Sequence, residues 1–143
     1  MLFSPPNFSE AEVKMMFWFL LMTGLLHVLF FLCELFPWNN PLLLKLLTKR
    51  LPTVTSAGHV PEPKFDAQQQ PIVATIVHNA GIYNGILAAG LFRAAYEGEQ
   101  AHMLAQSLLA GVLVAGLFGT ATLRSPVTAL QALMGGLGLI LLR

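Results

Sequence analysis

Two apolar runs of this chain are interrupted by the residue types that move protons and hold ligands: His27 and Glu34 in the first, and His78, Asn79, Tyr83 and Asn84 in the second. Imidazole and carboxylate take and give protons, while an amide or a phenol can hold a ligand oxygen or orient a titratable neighbour. Buried in an apolar setting without a partner, each such group costs on the order of a few kcal/mol, so the helices carrying them must turn them toward other helices, a ligand or trapped water. His27 and Glu34 share a helical face but stand about 10 Å apart along it, too far to bond each other. Each therefore needs a partner on another helix, and the second run is where the partners are expected. There, helical angles place Asn79 with Tyr83 and set His78 on a separate face with Gly81, Gly85 and Ala89, with Asn84 between the two. The glycine face admits a neighbouring helix or a flat cofactor.

If the cluster is catalytic, His27 or Glu34 moves a proton while Tyr83 and Asn84 hold an oxygen of the substrate. Asn79 and Gln131 are the remaining ligand-binding candidates, and Thr120, Thr122 and Thr128 stand at a matching depth on later helices, so that all four helices are expected to contribute. A plainer reading is available for each residue. The asparagines and Tyr83 suit interhelical hydrogen bonds, Glu34 can extend to the membrane surface, and His78 suits a satisfied structural histidine. His59 and His102 fall in a loop and at a helix end, and Cys33 and the methionines read as packing.

The elements that position these residues follow from composition. Of 143 residues, 55% are apolar and 10% charged, a balance that suits a bilayer and not a small soluble domain. Eight Lys and Arg against seven Asp and Glu leave no basic excess for nucleic acid, and a single cysteine excludes a disulfide framework within the chain and a thiolate metal site. Ser9 and Glu12 have the spacing of a capping box, and the apolar run after it is too long and too acidic at its flank for a signal peptide. The expected fold is an all-α integral membrane four-helix bundle, a single domain over 1–143 with spans at about 13–37, 71–95, 100–123 and 126–142. Trp38 and Pro41 close the first span, and Ser125 and Pro126 open the fourth.

Residues 42–51, leucines alternating with Lys45, Lys49 and Arg50, suit a short interfacial helix, and 52–70 reads as an exposed polar loop. Lys45, Lys49, Arg50, Lys64 and Arg124 on one side outnumber Lys14, Arg93 and Arg143 on the other. That bias places the long loop in the cytoplasm and both termini outside the inner (plasma) membrane. The segment Gly85–Phe92 resembles Gly111–Phe118, the mark of either an inverted duplication or the small-residue spacing that closely packed helices share.

His27 through Glu34-Leu35-Phe36-Pro37-Trp38, followed by Asn79-Ala80-Gly81-Ile82-Tyr83-Asn84-Gly85 and Leu87-Ala88-Ala89-Gly90-Leu91, resembles a family of small bacterial four-helix membrane proteins known only as the domain of unknown function DUF1304. The likeness runs from about residue 15 to the end, with Ala80 where a glutamine is usual and a longer first loop and N-terminus. It implies four helices and no particular activity. A shorter likeness joins His78, Asn84 and Gly85 to the membrane-bound styrene oxide isomerases. In those enzymes the histidine ligates haem b at a subunit interface of a trimer, the iron acts as a Lewis acid on an epoxide oxygen, and the asparagine helps position substrate. The resemblance thus implies His78 as a haem ligand and a homo-oligomer. The tyrosine those enzymes take from the following helix is missing here, leaving Tyr83 as its stand-in. The reading that best joins these features is a polar site within the bundle that binds, and in an enzyme isomerises, a small apolar molecule such as an epoxide. A small transporter and a structural membrane subunit are the rival classes.

Overall fold

A computed structural model describes residues 8–36 and 69–142, and all regular secondary structure among them is helical. Among the described residues four α helices follow one another: α1 (Glu10–Leu35), α2 (Gln69–Glu97), α3 (His102–Leu123) and α4 (Pro126–Leu141), with a 3-10 turn at Gly98–Ala101 between α2 and α3. The expected interfacial helix at 42–51 and nearly all of the loop at 52–70 lie outside the described residues.

Local chemistry fixes where each helix begins and ends. The Ser9 backbone N–H donates to Glu12 Oε2 at 2.7 Å and the Glu12 N–H to Ser9 Oγ at 3.3 Å, the reciprocal capping box that starts α1 earlier than the hydropathy boundary at residue 13. Ser125 Oγ accepts from Val127 N–H at 3.2 Å, and Pro126 follows in the first turn of α4. Between α3 and α4 the chain turns on Arg124, held in the left-handed region at φ 50° with its N–H on Thr120 O.

The stretches Glu10–Leu35 and Pro71–Leu123 are both long and apolar enough to cross a membrane. The second of these is folded back on itself. Gly98 reverses the chain at φ +58°, and Gly90 of α2 lies so close to α3 that a Cβ there would stand 3.0 Å from Leu108. Two antiparallel helices result.

The helices pack as two close pairs. In the first, Gly81 and Gly85 of α2 sit against Glu34, Leu35 and Phe31 of α1; in the second, Gly116 and Gly135 bring the backbones of α3 and α4 into contact. The pairs join at the end that carries the α2–α3 turn, where Met16, Leu20, Leu91, Ala94, Ala105, Leu109 and Leu142 form the buried core. Gly138 of α4 reaches Phe19 and Leu109 there. The same end is sealed by two side chains of α3: His102 Nε2 and Gln106 Nε2 donate to Leu142 O at 2.8 and 3.0 Å, occupying a carbonyl that the end of α4 leaves without a helical donor. The two similar segments are used differently, for Gly85 lies against Phe31 whereas a Cβ on Gly111 would meet nothing within 4 Å.

Candidate functional site

The polar residues of α1 and α2 meet through one amide. His27 Nδ1 and Asn84 Oδ1 are 2.8 Å apart, and Asn84 Nδ2 donates to Glu34 Oε2 at 2.8 Å. The glycines decide why Asn84 and not another side chain lies here. With Gly81 and Gly85 pressed on α1, the neighbouring position 84 is carried into the seam between the two helices, level with the gap between His27 and Glu34. Both α1 residues thus take their partner from α2, as their separation requires, and they share it.

The direction of these bonds sets the state of the imidazole. A carboxylate accepts only, so Glu34 holds the amide N–H₂ of Asn84 toward itself and turns the Asn84 carbonyl to His27. That carbonyl also only accepts, so Nδ1 of His27 carries a proton and donates it. In a neutral ring Nε2 is then left with its lone pair. His27 is fully buried, and Nε2 has no hydrogen-bond partner among the described residues. Phe30 stands edge-on to the ring at 5.5 Å, and Thr23, one turn earlier and also fully buried, returns its hydroxyl to Phe19 O at 2.9 Å. Thr23 carries no sequence signal, since a threonine bonded to its own helix is compatible with any apolar face.

The wider cluster expected from four helices divides. Tyr83 is 72% exposed and Asn79 is exposed too, both on the opposite side of α2 from the glycines, so neither joins the His27–Asn84–Glu34 chain. Thr120 donates to Gly116 O at 2.7 Å and meets Thr128 at 3.3 Å, Thr122 turns to Phe118 O, and Thr128 donates to Ser125 O. These hydroxyls are consumed within α3 and α4. Gln131 is half-buried on α4 and lies outside the hydrogen-bonded chain. The polar residues expected to meet from four helices thus meet from two, because a hydroxyl finds its own helix carbonyl at lower cost than a partner across the bundle.

Residues 21–143 match the family described as Protein of unknown function (DUF1304). The chain belongs to the DUF1304 family. The match takes in His27, Glu34 and Asn84, so the hydrogen-bonded chain lies wholly within the DUF1304 region. Neither the comparison with curated proteins nor that with solved structures gave a match.

His78 is half-buried in the first half of α2. The glycine face beside it, the expected wall for a flat macrocycle, is occupied by α1: a Cβ on Gly81 would stand 3.2 Å from Glu34 Cβ, and one on Gly85 2.9 Å from the Phe31 ring. Of the two occupants that face admits, this DUF1304 chain takes the helix. The arrangement does not fit haem against Gly81 and Gly85. Among the described residues no three His, Cys, Asp or Glu side chains converge as a metal site would need.

Proposed function

We propose that this protein is a multi-pass membrane protein, a four-helix bundle of the inner membrane with both termini outside. In this reading the seam between α1 and α2 binds a small apolar molecule carrying one polar group and moves a proton on it. The outward surface supports the membrane setting: only 28% of the most apolar window of α1 is buried, and Trp18, Met22, Leu25 and Leu29 are exposed. A core helix of a soluble protein would be mostly covered. One observation carries the chemistry, the buried Nε2 of His27 without a hydrogen-bond partner among the described residues while its other nitrogen meets Asn84.

Asn84 defines what Glu34 does. An amide has no proton to pass along at ordinary cost, so the chain is not a proton wire, and Glu34 is a positioning residue that fixes Asn84 and, through it, the tautomer of His27. His27 Nε2 is the group that meets the ligand, as hydrogen-bond acceptor or as general base. An epoxide suits this arrangement. The imidazole takes a proton from the carbon beside the ring, the freed C–H electron pair forms a C=C bond as the adjacent C–O bond breaks with its own pair going to oxygen, and the imidazolium returns the proton to that oxygen to give an allylic alcohol. The product is an isomer, so no co-reactant enters. Because His27 is enclosed, a ligand reaches it by parting the helices, and the sparser joint between the two helix pairs offers the easier route.

The test is to extract small molecules from the purified protein and from His27→Leu, and to incubate both with epoxides that carry a hydrogen on the saturated carbon beside the ring. Wild type should retain an apolar molecule or form the isomeric allylic alcohol, and His27→Leu should do neither. Identical extracts and identical absence of turnover would reject the site and leave a structural subunit. Retention without turnover, lost in His27→Leu, would leave a binding or transport protein.

A further inference from the structure

The side of α2 that faces away from α1 has a regular pattern. Ile72, Asn79 and Ile86 recur at intervals of seven, with Ile76 and Tyr83 interleaved four residues after the first two. This is the spacing of the seam positions of a helix that packs knobs-into-holes along another helix. All five are exposed, the isoleucines at 63% and Tyr83 at 72%. Neither the Asn79 amide nor the Tyr83 hydroxyl is hydrogen-bonded among the described residues. The next position of the repeat is Gly90, and there the stripe is covered, by Leu108 of α3. The seam pattern therefore continues past the point where this chain's own helices cover it, over roughly 20 Å of bare α2 at 1.5 Å per residue.

We infer that a second copy of this chain packs its α2 along this stripe, with Asn79 of the two copies hydrogen-bonded to each other. The inference rests on the multi-pass membrane reading, for two reasons. In hydrocarbon an amide without a partner is strongly disfavoured, and a lipid chain offers it none. Copies inserted with the same topology also run their α2 helices in the same direction, which brings each residue of the seam level with its own counterpart. An amide is the side chain suited to meeting itself, since it carries both donor and acceptor. Isoleucine above and below an asparagine at the same seam position is the arrangement that fixes register between two identical parallel helices. The seam lies on the other side of α2 from Asn84, so it leaves the His27 site intact in each copy.

The experiment is cysteine cross-linking in native membranes on a Cys33→Ser background, with single substitutions Ile76→Cys, Asn79→Cys and Ile86→Cys, and with Ile82→Cys beside the repeat and Leu133→Cys on α4 as controls. Both controls are exposed, at 48% and 56%, so accessibility does not separate them from the seam. Membranes are washed with carbonate, oxidised, and run on a non-reducing gel. The seam positions should give a dimer band several-fold stronger than either control. Monomer at every position, as lipid or a segment of the same chain on the stripe would give, overturns the inference, and so do equal bands at Leu133. Loss of the protein from the washed membranes overturns the membrane reading and the seam together, whereas membrane-retained monomer overturns the seam alone.

Discussion

Replacing Asn84 with leucine keeps nearly the same volume in the α1–α2 seam while removing both of its hydrogen bonds. Two interhelical bonds at about 0.6 kcal/mol each, the typical value within a membrane, account for roughly 1 kcal/mol. The donor left behind costs more. His27 is fully buried, and its Nδ1–H would face a hydrocarbon side chain at a further cost of about 1–3 kcal/mol. Glu34 is only half-buried and can turn to water or headgroups, so it adds little. The sum is roughly 2–4 kcal/mol, or about 6–12 °C in thermal unfolding at ~3 °C per kcal/mol for a chain of this size. Circular dichroism of the protein in a mild detergent measures it. The double variant His27→Leu/Asn84→Leu removes donor and acceptor together, and it should be less destabilised than the sum of the single variants by at least about 1 kcal/mol. A loss below about 1 kcal/mol for Asn84→Leu, or strict additivity in the double variant, would refute the claim that Asn84 holds His27.

Two further outcomes follow from the packing and the first cap. Gly135→Ala would push a Cβ into the backbone of α3 around Leu113 and should lower stability by about 1–3 kcal/mol, whereas Gly111→Ala meets nothing within 4 Å and should raise it by about 0.5–1 kcal/mol through backbone entropy; the same melting assay ranks them, and equal shifts would contradict the close α3–α4 contact. Ser9→Ala removes the hydroxyl arm of the capping box and should cost about 0.5–2 kcal/mol, seen as faster amide hydrogen exchange at Glu12 and Val13, with unchanged exchange counting against the cap.

The helices were legible in the sequence because their limits are written in short-range chemistry. Ser9 with Glu12 and Ser125 with Pro126 each act within a few residues, and the match to DUF1304 agrees with the likeness read from His27 to Leu91. The shortfall of bonding partners on α1 was legible too, since the distance between His27 and Glu34 follows from helix rise alone. Which residue of α2 would meet them was not. Asn79, Tyr83 and Asn84 all interrupt the same apolar run, and their angles fix their relation to one another without fixing which side α1 approaches.

That side is set by the glycines, and their effect depends on a comparison between faces. Gly81 and Gly85 lie against α1, which draws Asn84 into the seam and leaves Asn79 and Tyr83 on the far side of α2. The polar residues therefore separate into two sets with different needs. Asn84 spends its carbonyl and an N–H on two groups of α1 and orients the buried imidazole of His27, so its bonding is internal to one chain. Asn79 lies on an exposed face of α2, within a stretch that is long and apolar enough to cross a membrane, and its amide has no hydrogen bond among the described residues. Two asparagines five residues apart on one helix thus meet different surroundings, one the α1–α2 seam and the other the exposed face of α2.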